Sequence, residues 1–435
     1  MSAAPHSFGP IRLPADVSRI NVLAYFYGAF FSISLLTVLN FLQAYIITEH
    51  LGISTELQGS LTGNLGFLNE LVALVLVVPF GVWSDRLGRR LFIVSGLLIL
   101  GASYVALPLI GNVADLYAFR VVHSVGAAGV AGMLGIIVAD YAREESRGKL
   151  VAFSSMLIGL GVVVVVRFIG QLPAQLAERG FTPIESGSGA SWCVACLCFV
   201  SAGVLQTWLK SGTPAEVRES LSASQLLRRG LGAARDLRIA FAYAIAFVSR
   251  SDQAVSGLFI SLWALQTGIA QGMESQTALA NATTPFIIAA IAGLCFAPLV
   301  GFALDRIGRM TGMAMVLVLG CVGYTAVGFI SDPLSREALP LFALLGIGQT
   351  STLIGGQSLI AKIAPVDIRG SVIGVFGFFG AIGMMLTSLA GGRMFDSIGP
   401  WAPFVAVGIL QGLLFVVALL LRGQDKTPVA PVVSE

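Results

Sequence analysis

Charge is what this sequence has least of. Only 11% of its 435 residues are Asp, Glu, Lys or Arg, where a soluble domain carries roughly 25%. A soluble fold with a hydrated surface is excluded. Net charge is only +3, so a nucleic-acid partner is not implied. Three His and five Cys leave little for a metal centre or a nucleophile–base pair. No metal, cofactor or catalytic residue is expected, and the chain is not read as an enzyme. Cys193 and Cys196 form a C-x-x-C, but no His or carboxylate accompanies them in their apolar run. Like Cys198, Cys295 and Cys321, they read as small buried hydrophobes. No G-x-x-x-x-G-K-[ST] phosphate loop is present, so ATP is not the energy source. The N-terminus has Pro5, Pro10 and Pro14 and no apolar core, unlike a cleavable signal peptide.

What is there is apolar. Hydrophobic residues make up 56% and the mean hydropathy is +0.87. Twelve apolar runs follow one another, at 20–48, 57–82, 91–111, 116–139, 150–172, 191–209, 239–266, 281–303, 311–331, 338–361, 371–392 and 401–421. Each is long enough to cross about 30 Å of hydrocarbon as a helix. Helix is the only form available, because lipid offers the backbone no other partner. With the N-terminus inside, twenty of the 26 basic residues fall in inner segments and three in outer loops. That bias places both termini in the cytoplasm and suits the cell (inner) membrane. The expected order is a tail (1–19), a six-helix bundle (20–209), a basic cytoplasmic loop (210–238), a second bundle (239–421) and a tail (422–435). In the loop, Leu221, Leu226 and Leu227 beside Arg228 and Arg229 suit a short amphipathic helix on the inner surface.

One stretch occurs twice. Gly81-Val82-Trp83-Ser84-Asp85-Arg86-Leu87-Gly88-Arg89-Arg90 recurs as Gly301-Phe302-Ala303-Leu304-Asp305-Arg306-Ile307-Gly308-Arg309-Met310, 220 positions on from Gly81 to Gly301. Glu145-Ser146-Arg147-Gly148 is echoed by Asp367-Ile368-Arg369-Gly370, with Arg369 lying 222 positions beyond Arg147. Two echoes at nearly one offset mean a repeated six-helix unit. Duplicated bundles enclose a central site and rock about it.

On these residues the chain resembles the major facilitator superfamily. The loop Gly81–Arg90 matches that family's G-x-x-x-D-R-x-G-R-R motif, and the copy at Gly301–Met310 stands where the family keeps a weaker one. Arg120 followed by Gly126, Gly129 and Gly132 is similar to the family's fourth-helix pattern. The resemblance implies an all-α membrane protein, with twelve transmembrane helices in two pseudo-symmetric six-helix bundles. It implies a gate role for Gly81, Asp85, Arg86, Gly88, Arg89, Arg90, Asp305, Arg306 and Arg309. A plain positive-inside anchor accounts for the arginines but not for Asp85 or the paired glycines. One departure stands out. The fifth run, Gly159 to Arg167, lacks the Gly-Pro of drug–proton antiporters.

Ionisable groups inside spans are costly and mark function. Glu70 lies near the middle of span two, where it suits proton or substrate coupling; a structural hydrogen bond, for instance with Asn69, is the alternative. Span seven carries Ser249-Arg250-Ser251-Asp252-Gln253 at mid-depth. Arg250 and Asp252 project about 200° apart on a helix and do not pair with each other. Both are expected to face the cavity, with a buried interhelical salt bridge as the alternative. Arg120 and Arg167 lie toward the outer ends of their spans, where they either snorkel or aim positive charge at a carboxylate or phosphate. His123 reads as a proton relay or as a hydrogen-bonded structural histidine. The resemblance puts spans one, four, seven and ten around the cavity, which makes Asn40 and Gln349 candidate ligands.

The leading expectation is a secondary active transporter, moving a small organic anion or zwitterion by alternating access with proton coupling. Its partners are that solute, protons and the lipid bilayer, and it is expected to act as a monomer. A proton-coupled exporter of hydrophobic or cationic drugs is the rival. A non-transporting sensor or a lipid transporter on the same scaffold is a third reading.

Overall fold

The computed structural model describes residues 7–212 and 223–423. The segments 1–6, 213–222 and 424–435 lie outside the described residues. With them fall parts of both expected tails and the part of the central loop that holds Leu221. Among the described residues twelve helices are long and apolar enough to cross a membrane. Spans one to six are Arg19–His50, Thr55–Leu87, Arg89–Leu109, Val113–Val138, Glu144–Ala177 and Pro183–Trp208. Spans seven to twelve are Leu237–Ala270, Ser275–Arg306, Arg309–Phe329, Leu339–Ile363, Val366–Ser397 and Ala402–Arg422. Every expected apolar run is a helix.

Several helices begin earlier than hydropathy indicates. Span six starts at Pro183 rather than near 191, because Thr182 and Glu185 form a reciprocal capping box. These polar first-turn residues satisfy backbone groups that the helix leaves open. An apolar window does not see them. Asn112 caps span four in a similar way by accepting from the Asp115 amide at 2.9 Å.

Packing divides the chain into two units. Unit one comprises Met1–Gln58, Leu68–Glu219 and Ala264–Thr284, and unit two Gly59–Phe67, Ser220–Trp263 and Pro285–Glu435. The division follows the central loop except where the start of span two and the turn after span seven join the opposite unit.

In unit one, span one packs on span five, and span three on spans four and six. Spans three and four cross at Gly96 and Gly126, where a Cβ on either glycine would come within 2.8 Å of the other's carbonyl. Small residues allow such backbone approach, which takes the place of hydrophobic collapse inside lipid. A short antiparallel ribbon, β1 (Ser7–Phe8) with β2 (Ile11–Arg12), lies ahead of span one. Its end is tied down: Ile11, Leu13 and Val17 are buried. The Ser146 hydroxyl bridges the Arg12 amide and carbonyl, each at 3.0 Å. Lys210 donates to Asp16, which holds that carboxyl below its ordinary value.

In unit two, span nine packs on spans ten and twelve. Gly348 would bring a Cβ within 2.8 Å of the Gly320 α-carbon. Gly348 is 222 positions beyond Gly126 and Gly320 is 224 beyond Gly96, so the glycine crossing is itself repeated. The start of span two belongs here. The Asp396 carboxylate of span eleven accepts from the Gly59 amide at 2.8 Å and the Ser60 amide at 2.6 Å. These amides lie in the second turn of span two, past its Ser54 cap.

Candidate functional site

Polar side chains inside the spans form separate clusters, and each has a local cause. In unit one, spans one, two and four contribute a cluster of hydrogen-bonded polar groups. Asn69 donates to the Glu70 Oε1 at 3.0 Å. The Ser124 hydroxyl lies 3.0 Å from the Asn69 Oδ1 and 2.6 Å from the Arg120 carbonyl one turn earlier. Arg120 then donates through Nη1 to the Gln43 Oε1 at 3.2 Å. Arg120 is only 5% exposed. It therefore turns inward to span one rather than snorkelling. Asn40 lies three residues before Gln43 on span one and is half-buried.

His123 is buried one turn from Arg120, between Tyr104 and Phe119, with ring centroids at 5.5 and 5.8 Å. Neither ring nitrogen has a hydrogen-bond partner among the described residues. Arg167 is exposed and touches Thr283 at 3.5 Å. With the Gln171 amide turned to present oxygen, its guanidinium also donates there, at 2.8 and 3.2 Å.

In unit two, Arg250 and Asp252 part company. Arg250 is on an open side, donating to the Gln253 Oε1 at 2.6 Å. Its stem lies against Gly380 of span eleven, where a Cβ would stand 2.7 Å from the Arg250 Cγ. Asp252 has no exposed surface. Its Oδ1 accepts from the Gln411 amide of span twelve at 2.7 Å, and its backbone carbonyl accepts from the Tyr324 hydroxyl of span nine at 2.9 Å. The Asp252 Oδ2 and the Gln411 Oε1 have no partner among the described residues. The expectation put both residues toward a cavity, but the structure leaves only Arg250 open. A two-residue step rotates a helix by about 200°, so one face cannot hold both. The alternative salt bridge between helices is not formed among the described residues either, since an amide rather than a base meets Asp252. Gln349 on span ten is half-buried. Its neighbours Ser351 and Thr352 return their hydroxyls to their own helix.

The repeated loops carry ion pairs. Arg89 bonds Asp85 one turn back and reaches Asp140, at the end of the helix containing span four, at 3.2 Å. Arg90 donates to the Leu209 carbonyl at 3.4 Å. Gly88 has φ +94°, and a Cβ there would lie 2.8 Å from the Gly212 carbonyl; the turn demands glycine. Gly81 has open space around it and Arg86 is exposed. In the second copy, Asp305 pairs with Lys362 at 3.5 Å. The Arg306 guanidinium lies 3.7 Å over the Phe302 ring, and Arg309 opens span nine.

Sequence reasoning offered Asn69 as a hydrogen-bond partner of Glu70, a bond the structure contains, and gave Gln43, Gln411, Tyr324 and Lys362 no role at the site. For Lys362 a signal existed: it stands 222 positions beyond Asp140, the offset of the second echo.

The comparisons with known proteins agree with this architecture. Magnetosome protein MamH of Paramagnetospirillum magneticum is 26% identical over 397 residues, covering 89% of this chain and 88% of that protein. Magnetosome protein MamZ of Magnetospirillum gryphiswaldense is 28% identical over 400 residues; this chain spans 60% of its length. The crystal structure of the nucleoside transporter NupG superposes with a TM-score of 0.70, at 14% identity, over 94% of this chain and 99% of that one, a likeness of fold alone. A family profile matches residues 25–333 and 242–434, which together span nearly the whole sequence, and the chain belongs to the Major Facilitator Superfamily.

Proposed function

We propose that this chain is a proton-coupled secondary transporter of a small organic anion or zwitterion. It works by alternating access as a monomer, in the cell (inner) membrane with both termini cytoplasmic. The coarser part follows from family membership: it is an integral, multi-pass membrane protein of a family of secondary transporters.

The observation that carries the finer reading is the buried Arg120. A guanidinium sealed inside a span is costly, and here it stands in one polar cluster with a carboxylate, Glu70, by way of Asn69, Ser124 and the Arg120 backbone carbonyl. A positive group supplies recognition of a carboxylate or phosphate on the solute. A carboxylate in the same cluster supplies a proton carrier. Arg250, on an open side of unit two, supports the same charge preference. Asp85, Arg89 and Asp140 serve as an inner latch, because half-exposed ion pairs form and break at small cost. Asp252 supports the fold around span seven. The likeness to MamH and MamZ favours a second address, a magnetosome membrane, for the same activity.

Reconstitution into proteoliposomes under an imposed proton gradient tests the reading, with a panel of organic anions, zwitterions and cationic drugs. Anion or zwitterion movement that follows the gradient and is uncoupled by Glu70→Gln supports it. Movement indifferent to the gradient and to Glu70→Gln defeats the coupling. Cationic drug export retained in Arg250→Ala defeats the anion reading in favour of a drug exporter.

A further inference from the structure

The connector between spans six and seven contains a ten-residue helix, Ala223–Gly232, followed by a 3-10 turn, Ala233–Arg235. One stripe of it is committed to unit two. Gly230 is buried against span eleven, where a Cβ would come within 2.5 Å of the Ser371 carbonyl, and Tyr243 of span seven donates its hydroxyl to the Gly230 carbonyl at 2.8 Å. Leu227, Ala233 and Ala234 pack on the apolar core below. The described side chains on its other sides are turned outward. Leu226, Arg228, Arg229, Leu231 and Arg235 are all exposed. The three arginines have no ion pair or hydrogen bond among the described residues, whereas the nearby Arg238 pairs with Asp236.

The exposed side chains are ordered. Leu226 and Arg229 are three residues apart, as are Arg228 and Leu231, so each leucine shares a flank of the helix with an arginine. The two flanks lie either side of the docked stripe. The stripe seats on the first two turns of span eleven and the start of span seven, at the water boundary of the bilayer. A leucine beside an arginine on each flank, held at that depth, matches an interface between acyl chains and headgroups. Water alone would reward the arginines but not the leucines, and hydrocarbon alone the reverse.

We propose that Arg228, Arg229 and Arg235, with Leu226 and Leu231, form a binding site for the phosphate headgroup of an anionic phospholipid. The helix acts as a fixed shelf rather than a free anchor, because Gly230 and Leu227 bolt it to spans seven and eleven. The arginines take the lipid phosphate and the leucines take the first methylenes of its chains. The natural leaflet is the cytoplasmic one, which rests on the topology proposed above; binding in a micelle does not depend on that topology, so the two can fail separately.

The test uses the full-length chain, purified in detergent and titrated with phosphatidylglycerol, phosphatidylcholine or soluble glycerol phosphate; bound lipid is read by native mass spectrometry. Phosphatidylglycerol should bind in preference to phosphatidylcholine. The triple variant Arg228→Gln, Arg229→Gln, Arg235→Gln should lose affinity by about fivefold per arginine, roughly a hundredfold in all, with an unchanged melting temperature. The Leu226→Ser, Leu231→Ser variant should weaken phosphatidylglycerol binding severalfold. Equal binding of the two lipids, or phosphatidylglycerol binding unchanged in the triple variant, overturns the site. Glycerol phosphate binding as tightly as the lipid overturns its assignment to a membrane surface.

Discussion

Arg89 and Asp140 meet at 3.2 Å, and the residue 222 positions beyond Asp140 is Lys362, which meets Asp305 at 3.5 Å. The position at the helix end thus changes sign between the repeats, and its loop partner changes with it: Arg89 in the first, and in the second Asp305, the counterpart of Asp85. In the first, the end of the fourth-span helix supplies the acid and the loop supplies the arginine. In the second, the end of span ten supplies the base and the loop supplies the aspartate. The bridges are not equally sheltered: the Arg89 side chain is 15% exposed, while that of Asp305 is 79% exposed. Asp140→Asn should therefore slow transport several-fold in proteoliposomes, with a stability loss of no more than about 1 kcal/mol in thermal unfolding. Lys362→Gln should do less on both measures, and the opposite order would remove the latch role from Arg89 and Asp140.

Arg120 and Arg167 were alike in the sequence and differ in the structure. Removing the guanidinium of the buried, hydrogen-bonded Arg120 should cost transport at least a hundredfold in kcat/KM, in line with about 2–5 kcal/mol for a buried charged partner. Arg167→Ala removes an exposed group with a 3.5 Å contact to Thr283 and should cost less than tenfold. Uptake kinetics on both variants check this, and a larger loss from Arg167 would move the solute site away from Glu70.

Asp252 should tolerate an amide. Asparagine keeps a carbonyl oxygen for the Gln411 amide, so Asp252→Asn should leave folding near wild type. Asp252→Leu strands the buried Gln411 amide and should cost about 1–3 kcal/mol. Thermal unfolding in detergent separates the two. If the asparagine variant folds normally but loses proton coupling, Asp252 belongs to the transport chemistry and not only to the packing of spans seven, nine and twelve.

Asp396 accepts from the Gly59 and Ser60 amides. Asp396→Ala should remove both bonds to the second turn of span two at a cost of about 1–3 kcal/mol. Hydrogen exchange at residues 55–60 should rise in the variant. Unchanged protection there would mean that this turn is held by other contacts.

Twelve spans, their approximate limits and the duplicated loops were legible because each rests on a local property. Hydropathy is a sum over about twenty neighbouring residues, and a repeat is a comparison of the chain with itself. Local caps were less legible, so span six began eight residues earlier than its apolar run. The candidate residues were legible as types and depths, since charge inside an apolar run stands out without any fold. Glu70, Arg120, Arg250 and Asp252 were all singled out that way. The adjacent partner of Glu70, Asn69, was legible, but distant partners were not. Gln43 lies 77 positions from Arg120 and Gln411 lies 159 from Asp252, and no local sum connects them.

The sequence by itself determined that this chain crosses a membrane twelve times, that its loops are duplicated and which of its residues are expensive to hold there. Only the tertiary structure decided that Arg120 turns inward, that Arg250 stays open while Asp252 two residues later is sealed, and that Asp140 and Lys362 each meet a different residue of the duplicated loop. The reason is physical. Burial of a segment follows from its composition, whereas the burial of one side chain depends on helix rotation and on which distant helix arrives to meet it.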